Sequence, residues 1–115
     1  MAVTAAPPRP GGSPFRVDVH PERDVVRVAP AGELDLATVG ELEAELRQLR
    51  DSGFERVVLD LRKLIFMDST GVKLILAEDR CARENGHDFS LINGPPPVRR
   101  ILELTGIAGY LSFEG

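Results

Sequence analysis

Three consecutive side chains able to do chemistry, Asp68, Ser69 and Thr70, stand between a short apolar run and a long amphipathic one. Ahead of them, Arg56-Val57-Val58-Leu59-Asp60-Leu61 is β-branched and apolar, the pattern of a strand buried on both faces. Behind them, Val72 to Asn85 has helical composition and spacing. They therefore occupy a loop that enters a helix beyond the carboxyl end of a core strand. Unpaired N–H groups and the helix dipole favour negative charge there, and open α/β sheets place ligand crevices there. A hydroxyl at this spot can carry a phosphate with little strain. The same residue types are also ordinary helix caps, and an N-cap role accounts for Asp68 by itself.

Catalysis by these residues lacks its usual companions. A serine nucleophile needs a histidine within hydrogen-bond reach. His87 lies beyond the far end of the helix, roughly 24 Å from Ser69 at 1.5 Å per residue. His20 ends an early strand, has no metal partner near it in the chain, and reads as a surface residue. No Gly-x-Ser-x-Gly elbow surrounds Ser69, and neither a dinucleotide fingerprint nor a P-loop is present. Asp60 and Asp68 would be two carboxylates for Mg²⁺, but Asp60 belongs to a strand interior and two carboxylates do not make a site. The expectation is a non-enzymatic domain with no catalytic residue, metal or cofactor, whose hydroxyl is a substrate for another protein's chemistry.

The elements that must position this loop follow from periodicity. Phe15 to His20 alternates as a half-buried strand, Pro21 to Asp24 turns, and Val25 to Ala29 returns as a hairpin partner ended by Pro30. Gly32-Glu33-Leu34-Asp35 leads into a helix, with Thr38 and Glu41 at capping-box spacing and Val39, Leu42, Leu46 and Leu49 on its inner face. Glu43 and Arg47 form an i,i+4 pair on its wet side, and Ser52-Gly53 ends it. Leu64, Ile65 and Phe66, in the connection after the central strand, are too apolar for free loop and should tuck under the sheet end. In the next helix Leu74, Ile75, Cys81 and Ala82 face the sheet; Val72 and Leu76 lie off that stripe, either at the core's edge or as an exposed apolar pair beside Ser69. Phe89 to Ile92 is a further strand, reached by a parallel crossover. Pro95 to Pro97 open a last helix with Val98, Ile101, Leu102 and Thr105 inward, and Leu111 to Phe113 form a short terminal strand. The order is β-β-α-β-α-β-α-β: an α/β domain with a mixed sheet of four to five strands and helices packed on it.

At 115 residues the chain is one domain, and 43% hydrophobic residues suffice for one core. The net charge of −4 argues against nucleic acid, and no apolar run approaches the roughly 20 residues that span a bilayer. The single Cys81 excludes an internal disulfide and makes a reducing cytoplasm the default. Residues 1–14 are rich in Ala, Pro and Gly and are expected to be a disordered tail, leaving 15–115 as the domain.

From Phe15 to the end, the chain resembles a STAS domain of the anti-sigma factor antagonist type. Three stretches carry the resemblance: Gly32-Glu33-Leu34-Asp35; Val57-Val58-Leu59-Asp60-Leu61 with Leu64 and Phe66-Met67-Asp68-Ser69-Thr70-Gly71; and Pro97-Val98-Arg99-Arg100-Ile101-Leu102-Glu103-Leu104-Thr105-Gly106. The resemblance implies a cytoplasmic bacterial switch protein in which Ser69 is phosphorylated by an anti-sigma factor that is itself a serine kinase. The unphosphorylated form binds that kinase and frees a sigma factor; a serine phosphatase resets it. ATP and Mg²⁺ would be held by the kinase. Glu33, Asp35, Asp68, Thr70, Gly71, Val72, Lys73 and Leu76 are the implied partner-binding residues. Lys73 departs from the family's usual Gly-Leu-Gly after the hydroxyl pair, where this chain has Gly71-Val72-Lys73. A scaffold or ligand-sensing STAS module, of the stressosome or transporter-linked kind, is the alternative.

Overall fold

A computed structural model describes residues 15–114. The expected tail, residues 1–14, lies outside the described residues. The chain runs β1 (Arg16–Glu22), β2 (Val25–Leu34), α1 (Val39–Asp51), β3 (Arg56–Asp60), β4 (Leu64–Met67), α2 (Ser69–Asn85), β5 (Asp88–Ile92) and α3 (Pro96–Leu104), closing with a 3-10 turn at Ala108–Tyr110. The sheet order is β1-β2-β3-β5, with β4 paired to β2. The β1–β2 hairpin is antiparallel and the other pairings are parallel.

β3 lies between β2 and β5, as its apolar run predicts, and its line continues past Asp60 through the Leu61 N–H, which donates to Ile92 at 2.9 Å. Alternation places Val26, Val28, Leu59 and Leu91 on one face, all fully buried, against Leu42 and Leu46 of α1 and Ile75 of α2. In α2, Leu74, Ile75 and Ala82 are buried as expected, while Cys81 is only half-buried. The other face of the sheet carries ion pairs alongside its strands' apolar residues Val25, Val58 and Ile92. Arg16 and Lys63 approach Asp18 at 3.1 and 3.7 Å, and Arg56 approaches Asp88 at 3.5 Å.

Four expectations about the strands and the end of α3 need correction. Pro30 does not end β2. The β2–β3 ladder stops at Val28–Leu59 and the β2–β4 ladder starts at Gly32–Leu64, so Pro30 falls in the gap between them, where a missing N–H breaks no ladder bond on that side. Leu64 to Met67 is a strand, not a connection: Leu64 is buried, but Ile65 and Phe66 are 55% and 45% exposed and do not tuck under the sheet. Thr105 caps α3 from an exposed position instead of facing inward. The terminal strand reduces to one bridge, Leu91 to Phe113, flanked by hydrogen bonds of Leu91 with Ser112 and Glu114.

The β3–β4 break is held by Asp60. Its carboxylate is 2% exposed and receives the Arg62 N–H at 3.0 Å, the Arg62 guanidinium at 2.9 and 2.8 Å, and Arg27 at 3.2 Å. The Arg62 guanidinium is the main cause holding this carboxyl below its ordinary range; burial opposes it, and the Arg62 N–H and Arg27 add to it. Both of its oxygens are engaged by arginine donors. A depressed folded-state pKa contributes stability that is present above the unfolded value and lost as pH falls through the folded one. Asp60→Asn should therefore lower stability at neutral pH by about 2 kcal/mol, the scale for unpairing a buried charge-assisted bond. In urea melts the gap between the two proteins should close below about pH 4. A gap independent of pH would show that the carboxylate's charge is not what matters.

Candidate functional site

Three chain segments meet at the start of α2. The Asp68 N–H donates to the Leu34 carbonyl at 3.1 Å, tying the end of β4 to the end of β2. Asp68 is the N-cap: its extended backbone precedes the helix and its carboxylate accepts the Thr70 N–H at 2.9 Å and the Thr70 hydroxyl. Burial pushes the Asp68 carboxyl up, but the Thr70 hydroxyl and the N–H groups of Thr70, Gly71 and Leu36 outweigh it and hold the group below its ordinary value. The site therefore carries a fixed negative charge.

Ser69 is the first residue of α2 and is exposed; among the described residues its hydroxyl has no hydrogen-bond partner. Thr70 is half-buried and its hydroxyl is committed to Asp68. Two adjacent hydroxyls are thus unequal, and only that of Ser69 is available to another molecule.

Gly71 is buried where α2 crosses the ends of β2 and β4. A Cβ there would lie 2.6 Å from Met67 Cγ and 3.0 Å from Leu34 Cδ2, both in fully packed side chains. Glycine lets the helix start this close to the sheet. Val72 is 5% exposed, and Leu76 is half-buried against the core. They form the core's edge, so the exposed apolar pair is not there. Lys73 is exposed.

The Gly32–Asp35 stretch reaches the same place. Gly32, at φ +107, carries the irregularity that shifts β2 from Leu64 to Phe66, a backbone state suited to glycine. Glu33 is half-buried and pairs with Phe66. The Asp35 carboxylate accepts the Ala37 N–H at 3.0 Å, within its own loop. Thr38 makes no capping box with Glu41. It is fully buried, and its hydroxyl donates to the Glu33 carbonyl at 2.7 Å and accepts the Asp35 N–H at 3.0 Å, so it fastens this loop rather than the helix end.

Sequence reasoning passed over Leu36. It is 78% exposed beside the Asp68 carboxylate that its N–H faces. Its signal was a large apolar residue in an otherwise polar loop. Phe66 and Leu104 add exposed apolar surface along a groove of about 410 Å³ between β4 and α3, lined also by Met67, Pro97 and Ile101. An open cavity of about 430 Å³ lies along β5, at the far end of α2 near Arg83 and His87, and involves none of these residues. Among the described residues, no group of three metal-ligating side chains occurs and no helix is long and apolar enough to cross a membrane.

The family described as "Mlab, STAS domain" matches residues 15–112. The chain is 29% identical over 94 residues to the anti-sigma F factor antagonist of Paenibacillus polymyxa, covering 81% of this chain and 80% of that one. It is 31% identical over 80 residues to the anti-sigma-B factor antagonist of Staphylococcus aureus, covering 70% and 74%. Its fold overlays the anti-sigma factor antagonist SpoIIAA in its unphosphorylated form with a TM-score of 0.71 at 25% identity, covering 88% of each chain. The mixed sheet with helices on it is thus the STAS fold, and the chain belongs to the STAS-domain family, among the anti-sigma factor antagonists.

Gly71→Ala tests the helix–sheet approach. Alanine gains about 1 kcal/mol of helix propensity, while overpacking costs about 1–3 kcal/mol. With contacts inside 3 Å the overpacking should win, and chemical denaturation should show a net loss of about 1 kcal/mol. A stabilised variant would mean that Met67 and Leu34 yield freely.

Proposed function

We propose that this protein is an anti-sigma factor antagonist whose binding is switched by phosphorylation of Ser69. The observation that carries this reading is the exposed Ser69 hydroxyl on the first turn of α2, without a hydrogen-bond partner among the described residues, next to a Thr70 hydroxyl already committed to Asp68. The relatives named anti-sigma factor antagonists, and the existence of an unphosphorylated form of one, support it. In this reading the unmodified domain binds an anti-sigma factor that is a serine kinase and so releases a sigma factor, in the cytoplasm; a serine phosphatase reverses the modification. ATP and Mg²⁺ belong to the kinase, and this chain takes no cofactor.

The partner surface would be the end of the sheet around Ser69. Glu33, Asp35 and Asp68 supply negative character, Leu36 and Phe66 apolar contact, and Thr70, Lys73 and Leu76 the helix flank. Gly71 and Val72 shape that flank from within. Phosphate adds about −1.5 to −2 charges at this spot. Reducing a complex from about 99% to 1% occupancy takes roughly 5.5 kcal/mol, and like charge in an interface costs several. Charge and bulk together reach that scale without any change of fold.

Incubation with candidate anti-sigma kinases and ATP, read by intact mass, should add one phosphate to the wild-type chain and to Thr70→Ala, and none to Ser69→Ala. By calorimetry Ser69→Ala should bind the kinase like wild type, while Ser69→Asp should bind at least tenfold more weakly. Phosphate on Thr70 alone, or undiminished binding by Ser69→Asp, would overturn the reading.

A further inference from the structure

A phosphate on Ser69 meets less compensation than a bare helix start would offer, because Asp68 already takes the Thr70 N–H and adds its own negative charge. The chain carries a cation in reach. Lys73 is exposed and stands four residues after Ser69, on the same face of α2. Elsewhere on the helices this spacing is filled by ion pairs: Glu43 with Arg47 at 3.8 Å, and Asp79 with Arg83 at 2.8 Å. In both, the acid precedes the base, the favourable order along a helix. Lys73 has the same placement relative to Ser69 but, among the described residues, no ion-pair partner. Its other helical neighbours, Thr70, Leu76 and Ala77, are uncharged. A phosphate on Ser69 would complete a third acid-before-base pair.

We infer that Lys73 is the built-in counter-charge of phosphorylated Ser69, holding the phosphate against the first turns of α2 and favouring the modified state of the switch. The inference rests on the proposed modification of Ser69. It gives Lys73 a role within its own chain, separate from contact with a partner.

The test uses the full chain with phosphoserine installed at position 69 during translation, so the modification itself needs no kinase. The ³¹P shift of that residue is followed against pH in three backgrounds: unaltered, Lys73→Gln and Lys73→Arg. Position 73 is exposed, and each protein's melting curve confirms that it is folded. The second phosphate ionisation should lie roughly 0.3 pH units lower with Lys73 than with Lys73→Gln, the scale of a helical ion pair. Lys73→Arg should restore it. The difference should shrink in 1 M salt, where screening acts within about 3 Å. Coincident titrations of the unaltered and Lys73→Gln proteins would overturn the inference, as would a difference that Lys73→Arg does not restore. Kinase binding is measured on the same phosphoproteins. A phosphoprotein that shows the pair yet binds like the unmodified chain would remove the switch and leave the pair. Lost binding with coincident titrations would do the reverse.

Discussion

The site depends on the junction made by Asp68. One residue joins the ends of two strands and the start of a helix, through an N–H given to Leu34 and a carboxylate facing the N–H groups of Leu36, Thr70 and Gly71. A carboxylate with that many donors is both a cap and a rigid coupler. It sets where α2 begins, and so where Ser69 stands. It also occupies Thr70, and by doing so leaves Ser69 as the accessible hydroxyl. Gly71 supplies the steric counterpart, since the junction can be this tight only where no Cβ intervenes.

Behind the junction, two further polar contacts act at a distance from it. Asp60 and Arg62 fix the break between β3 and β4, so that β4 leaves the β3 line and delivers Met67 and Asp68 to the helix start. Thr38 fastens the loop after β2 from below, through Glu33 and Asp35. Both are buried polar groups with satisfied partners, which is how such groups persist inside a core. The apolar core explains that the domain folds; these three anchors explain why Ser69, Leu36 and Asp68 end up side by side.

Much of this was readable before the structure, because it rests on local chemistry. The cap role of Asp68, the central position of β3 and the inner faces of α1 and α2 all follow from residue type and period. What escaped reading was decided by neighbours remote in sequence. Pro30 looks like a terminator until the two parallel ladders on its flank are seen to leave a gap. Thr38 and Glu41 match a capping box by spacing, yet the Glu33 carbonyl claims the hydroxyl. Leu64 to Met67 is four apolar residues in a row, with no alternation to declare a strand, and only the pairing with β2 makes it one. The exposure of Leu36 follows from the direction of a loop, which no local pattern encodes.

The site is also small. From Asp68 to Lys73 the helix advances only about 8 Å, whereas a stable protein contact covers roughly 800 Å² on each partner. Two macromolecules cannot share Ser69. Under the proposed reading the enzyme that adds phosphate and the enzyme that removes it must visit in turn. The fraction of chains in each state is then a steady state set by the traffic of two visitors. A cell could reset it by changing how often either one calls, without altering a single contact in this protein.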